Sequence, residues 1–191
     1  KPFFPDWDPV QFVNEQFNGD KDDQSMFLEL FQFAALTTRP KNAYFNLYDP
    51  IGNTGKSMTI DWICHFVGAN NAGRATMDQI NSQYGLSVIY DKAVIASSEN
   101  DATFIKNNSN LKNLATGDEL GIEEKFKSSK TVLATPLVLL ASNKLPRYAD
   151  LDGGVKRRIR ILEFRHSYTG RVNDRIKNEY IRSKTLNEWM L

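Results

Sequence analysis

Residues 49–57 run Asp49-Pro50-Ile51-Gly52-Asn53-Thr54-Gly55-Lys56-Ser57, and the types and spacing of these side chains suit polyphosphate binding. Glycines let a loop turn several backbone amides toward one anion. The lysine that follows meets the β and γ phosphates, and the next hydroxyl is a ligand for magnesium. Gly52, Asn53, Thr54 and Gly55 supply the loop, and Lys56 and Ser57 take the last two roles. The pattern G-x-x-x-x-G-K-[ST] is kept except at its first glycine. Pro50 stands there, and Gly52 is expected to provide the flexibility instead.

A phosphate-bound magnesium needs an acidic partner, and the attacking water needs activation. Glu99, just after the apolar run 93–97, is assigned both tasks; Asp101, two residues on, is either a second metal partner or a turn residue. Asn143 closes the apolar run 137–141 and is placed to hydrogen-bond the γ-phosphate or the water. Arg157 and Arg158 follow Gly153-Gly154. An arginine at such a boundary stabilises charge on a transferred phosphoryl group, commonly from a neighbouring subunit. His65 and His166 have no metal-ligand company and read as structural.

The elements that must hold these residues follow from periodicity and capping. Asp8-Pro9 starts a helix with Val10, Val13 and Phe17 on one face. A second start at Asp22 or Asp23 leads into Phe27, Leu30, Phe31 and Ala34, so residues 8–38 form a helical bundle with no chemistry of its own. Residues 44–48 read as a buried strand entering the glycine loop. The helix after it carries Ile60, Ile63, Cys64 and Val67 on one face and stops at Gly68. Thr76 and Gln79 form a capping box, residues 93–97, 137–141 and 159–164 are buried strands, and residues 104–116 are helix-compatible. The lysine-rich stretch 121–136 predicts a hairpin with its tip near Ser128-Ser129, against whose body Phe126 packs. Strands alternating with helices imply a parallel-rich α/β sheet whose ligand site lies at the carboxyl ends of its strands.

The 191 residues suffice for one folding unit, and hydrophobic (41%), charged (25%) and aromatic (12%) fractions exclude disordered and fibrous classes. No apolar run approaches the ~20 residues of a membrane helix. Cys64 is the one cysteine and no secretory leader is visible, so a cytoplasmic setting is expected; the start at Lys1 reads as a piece of a longer polypeptide. The net charge of +1 conceals an asymmetry. Residues 1–100 hold 7 basic and 12 acidic side chains, residues 101–191 hold 17 and 11, and between 125 and 160 only Asp150 and Asp152 oppose nine cations. Such local density attracts phosphates.

G-N-T-G-K-S at 52–57, S-E-N at 98–100, L-K-N-L-A-T-G-D at 111–118, L-L-A-S-N-K-L-P at 139–146 and K-R-R-I-R-I-L-E-F at 156–164 resemble, in order and spacing, the motifs of superfamily 3 helicases. These are AAA+ P-loop ring ATPases of viruses, phages and plasmids, and the nearest likeness is to the helicase part of phage and plasmid primase-polymerases. The resemblance implies an AAA+ core over 41–166, with a helical collar at 1–40 and a helical segment at 167–191. It makes Lys56 and Ser57 the ligands of ATP and Mg2+, Glu99 the Walker B carboxylate, Asn143 the polar sensor, and Arg158 the arginine finger with Arg157 beside it. Ser98 and Asn100 depart from the usual acidic pair. The hairpin becomes a DNA-tracking loop, with Lys127 and Lys130 nearest its tip and Lys125 on its flank. Lysines there contact phosphates without reading bases. The implied activity is ATP-driven unwinding by a hexamer on single-stranded or forked DNA with 3′ to 5′ travel, in a host bacterial cytoplasm, with a fused or associated primase-polymerase. Two rival readings are an origin-melting or loading module without processive travel, and a P-loop phosphotransferase. The second leaves the asparagine, the arginine pair and the hairpin without a task.

Overall fold

The computed structural model of the chain describes residues 1–36, 42–82, 84–97, 104–105, 108–123, 126, 128–149 and 153–191. Two helices open it, α1 (Pro9–Phe17) and α2 (Lys21–Ala35). Asp8 caps α1 as expected, its carboxylate accepting from the amides of Val10 and Gln11. The cap of α2 is Asp20 rather than Asp22 or Asp23, because the Asp20 carboxylate accepts from the amides of both. Phe12, Gln16 and Phe17 form the buried face of α1 with Val13 half-buried against the same core, whereas Val10 of the expected stripe is exposed. Phe12 and Phe17, with more apolar surface to bury than a valine, take the deepest positions.

Then come β1 (Tyr44–Tyr48), α3 (Lys56–Val67), β2 (Ala72–Arg74), α4 (Met77–Asn81), β3 (Val94–Ser97), the short β4 (Phe104–Ile105) and α5 (Ser109–Thr116). Thr76 and Gln79 close the expected capping box on α4. Residues 104–105 are strand, so only the later part of the helix-compatible run is helical. The second half holds β5 (Glu119–Ile122), β6 (Lys130–Leu133), β7 (Leu137–Ser142), β8 (Arg147–Tyr148), β9 (Ile159–Glu163), α6 (Asp174–Asn178) and α7 (Lys184–Trp189).

Five strands form one sheet in the order β2-β3-β7-β1-β9, with every pairing parallel. Such a sheet is covered on both faces, which is why β3 and β7 are buried at every position instead of alternating. On one face Phe45, Leu47, Leu139 and Leu162 meet Phe27, Phe31, Trp62 and Ile63 from α2 and α3, with Ile181 and Leu186 near the C-terminus. On the other, Tyr44, Ile95, Val138 and Leu140 meet Ile80, Leu86, Leu111, Leu114, Leu120 and Ile122. The N-terminal helices and the C-terminal segment therefore share one core with the sheet. β5 and β6 pair antiparallel from Glu119↔Leu133 to Ile122↔Lys130, so the hairpin is present, but this register centres its connection on Phe126 and puts Ser128 and Ser129 at the foot of β6 rather than at the tip. Phe126 does not pack on its body: the ring is fully exposed at a left-handed residue of φ 63°. A connection centred on such a turn points its side chain away from both strands. Among the described residues no helix is long and apolar enough to cross a membrane.

Candidate nucleotide site

The loop between β1 and α3 has positive φ at Gly52 (80°), Asn53 (55°) and Gly55 (87°), left-handed turns that curl backbone amides into an anion-binding concavity. Gly55 is required twice over, since a Cβ there would also stand 2.9 Å from Cε2 of Phe12. α3 starts at Lys56 without a side-chain cap. Its first-turn amides thus face the loop, with the helix dipole behind them. Ser57 is exposed in that first turn, where its hydroxyl is free to meet a phosphate-bound cation.

Asp49, which sequence reasoning passed over, shapes the stem of the loop. Its buried carboxylate accepts from the amides of Ile51 (2.9 Å) and Gly52 (2.7 Å) through Oδ1 and from the Thr54 hydroxyl (2.7 Å) through Oδ2. This Asx-type closure performs the turn that the first glycine of the pattern would otherwise allow, and it explains how Pro50 is accommodated. The signal in the sequence was the Asp-Pro pair before the glycines.

Lys56 is almost fully buried, and its Nζ donates to the Ser142 carbonyl (2.9 Å) and to Asn143 Oδ1 (2.6 Å). The Ser142 carbonyl also accepts from the Asp49 amide (3.0 Å), which fastens the exits of β1 and β7 together. Buried Asn46 and Ser142 hydrogen-bond side by side beneath them. The loop lysine and the asparagine at the strand end are thus brought into contact at the carboxyl edge of the sheet.

The outer side of the loop is held by two segments that carried no chemistry in the sequence reading. Ser167 Oγ donates to the Gly52 carbonyl (2.9 Å), the Tyr168 amide to the Asn53 carbonyl (2.8 Å), and Gln16 Nε2 to the Thr54 carbonyl (2.7 Å). Fully buried Gln16 also donates to the His166 carbonyl (2.7 Å) and accepts from the His166 amide (3.3 Å). A cavity of about 390 Å³ opens beside Asn53, Gly55 and Met58 and is lined by Phe12, Glu15 and Tyr168. The Tyr168 hydroxyl donates to Glu15 (3.1 Å), and burial, with the Glu15 charge beside it, pushes the phenol well above its usual range. A larger groove of about 740 Å³ lies by Ala93 and Thr135, at the opposite edge of the sheet from the loop.

The remaining predicted site residues fall elsewhere. Glu99 and Asp101, and the hairpin lysines Lys125 and Lys127, lie outside the described residues. Lys130 is at the start of β6, and its amine donates to the Tyr90 hydroxyl (2.8 Å) above the Tyr90 ring. Arg157 and Arg158 precede β9, whose Ile159 pairs with Tyr44 at the start of β1. They therefore stand at the opposite end of the sheet from Lys56, about 16 Å away along five strand residues. Arg158 bends back to the Gly154 carbonyl (2.8 Å) with Nε buried and unpaired among the described residues; Arg157 is exposed.

A parallel sheet with a glycine loop at the exit of one inner strand and an asparagine at the exit of its neighbour is the P-loop arrangement. The chain belongs to a family described as of unknown function (DUF5906), whose model matches residues 47–158, more than half of its length. Its fold is similar to that of the apo C-terminal region of NrS-1, with TM-scores of 0.72 and 0.71 in two structures at 16% identity, covering 93% and 95% of this chain. It is also similar to JCV helicase with a bound thiazolopyridine compound (TM-score 0.57, 12% identity, 95% of this chain). The chain spans 43% and 44% of the NrS-1 structures and 52% of the JCV helicase structure. No curated protein sequence matches it. These likenesses establish a helicase-like α/β fold.

Proposed function

We propose that the chain is the ATP-hydrolysing module of a ring-forming DNA helicase of the superfamily 3 type, from a phage or plasmid replication protein, moving 3′ to 5′ on single-stranded DNA. The observation that carries this reading is the 2.6 Å contact between Lys56 and Asn143, which unites the phosphate-binding lysine with the polar end of the neighbouring strand. The loop amides from Asn53 to Ser57 receive the triphosphate, Lys56 moves from Asn143 on to the β and γ oxygens, and Asn143, once released, orients the attacking water. Ser57 and Glu99 would hold Mg2+, which neutralises phosphate charge when bound.

The arginine pair supports a multi-subunit site. Its place at the far end of the sheet keeps it from the loop of its own chain, so a second copy must supply it. Arg157, the exposed member, is better suited to that reach than Arg158, which is engaged by Gly154. Lys125, Lys127 and Lys130 on the hairpin follow the DNA backbone, with Phe126 offered to a base. The test is ATP hydrolysis with and without single-stranded DNA, together with strand displacement on a fork. Lys56→Ala should abolish both activities. Hydrolysis that survives it refutes the site, and melting without displacement would favour a loader.

A further inference from the structure

A trans peptide group points its carbonyl and the following amide in opposite directions. Three successive carbonyls of the loop, those of Gly52, Asn53 and Thr54, face outward on to Ser167, Tyr168 and Gln16. The amides of Asn53, Thr54 and Gly55 must consequently face the opposite side, away from α1 and from residues 166–168. The two preceding amides, those of Ile51 and Gly52, are turned into the stem by Asp49. The loop is thus divided by its partners into a stem that serves shape and three amides presented to a ligand.

From this we infer that Gln16, with Ser167 and the Tyr168 backbone, is an external clamp that sets the phosphate-binding face of the loop. Gln16 acts as a positioning residue and touches no ligand. Two features make it suited to this. It is fully buried and all its polar atoms are engaged, so its amide has one orientation. It also ties the loop to the chain leaving β9, so the clamp joins three segments distant in sequence: α1, the loop and residues 166–168. Helix α1 is accordingly part of the nucleotide site rather than only a collar between subunits. Holding donors in place before the anion arrives avoids ordering them on binding, and what the clamp favours is the polyphosphate itself, whatever base it carries. The inference rests on the nucleotide-binding reading of the site.

Inorganic tripolyphosphate with Mg2+ and ATP with Mg2+ are the probes, titrated by calorimetry into the parent chain and into Gln16→Met, Ser167→Ala and Lys56→Ala. The expected result is a loss of about tenfold in affinity for both ligands in each clamp variant, by the same factor because the shared part is the phosphate chain. A role confined to folding would lower the melting temperature and leave the affinity of the folded protein unchanged. If Gln16→Met does not fold, the partly exposed Ser167→Ala decides. The clamp is refuted if the folded variants bind both ligands within about twofold of the parent while Lys56→Ala has lost them. If Lys56→Ala binds as the parent does, the nucleotide site itself falls and the clamp with it.

Discussion

Replacing Asp49 separates the shape of the loop from its charge. The carboxylate is 3% exposed and accepts three hydrogen bonds. In Asp49→Ala the Thr54 hydroxyl, on a residue 1% exposed, loses its acceptor where water does not reach, at a cost of about 1–3 kcal/mol. The amides of Ile51 and Gly52 sit on more accessible residues and regain water, so each adds only about 0.5 kcal/mol. Relief of the buried charge offsets part of the loss, leaving about 2–3 kcal/mol. For a chain of this size the melting temperature should fall by about 4–12 °C. Asp49→Asn keeps an oxygen for the two amides and offers its own amide to the Thr54 oxygen, so it should retain most of the stability and most of the tripolyphosphate affinity. Thermal unfolding followed by circular dichroism, with calorimetry on the folded proteins, checks both. An alanine variant that melts with the parent, or an asparagine variant as damaged as the alanine one, would show that the carboxylate does not build the turn.

Gly55→Ala meets two separate penalties, a left-handed φ worth about 1–2 kcal/mol and the Phe12 ring. Phe12→Leu in the same chain should recover only the second, as a double-mutant cycle in denaturant would reveal. Cys64 is buried and burial pushes its thiol up, so iodoacetamide at neutral pH should label it only after unfolding; rapid labelling of the native chain contradicts its placement. Burial, and then the Arg182 charge, hold the His65 imidazole below its usual value of 6.5. The unfolded chain therefore takes up that proton first on acidification. The contribution of His65 is present above pH 6.5 and is lost as pH falls toward the lower folded value, and His65→Gln should flatten that part of the stability profile. Phe126→Gly relieves a positive φ and should leave the fold at least as stable, while binding of single-stranded DNA weakens by about 1–3 kcal/mol in fluorescence anisotropy. Unchanged DNA affinity would remove Phe126 from the interface.

The strands and helices that carry the loop were legible because their signals are local. Residues 44–48 are β-prone and end at an Asp-Pro turn, Gly68 stops α3, and Thr76 with Gln79 announces α4. Less legible were elements whose stability comes from partners. β2 is three residues that, among the described residues, pair only with β3, and β4 and β8 support each other across more than forty residues of chain. The buried face of α1 is only partly legible for a related reason. Periodicity alone allows either stripe of that helix to face inward, and the choice is made by what Phe12 and Phe17 find there, the rings of Phe27, Tyr168 and Phe164.

Residue types and their spacing are enough to specify the chemistry on offer: a glycine loop ending in Lys56 and Ser57, an asparagine after an apolar strand, and a basic second half. Those features are short-range, and they survive any arrangement of the rest. Which of them meet is a matter of strand order and packing. Parallel pairing of β1 with β7 places Asn143 on Lys56 and directs Arg157 and Arg158 to the other end of the sheet. Packing of α1 and of residues 166–168 against the loop aims its amides, through hydrogen bonds spanning 38 to 150 residues of sequence. Such contacts leave no periodic trace in a chain, because each depends on a single buried polar group finding a partner that folding alone brings near.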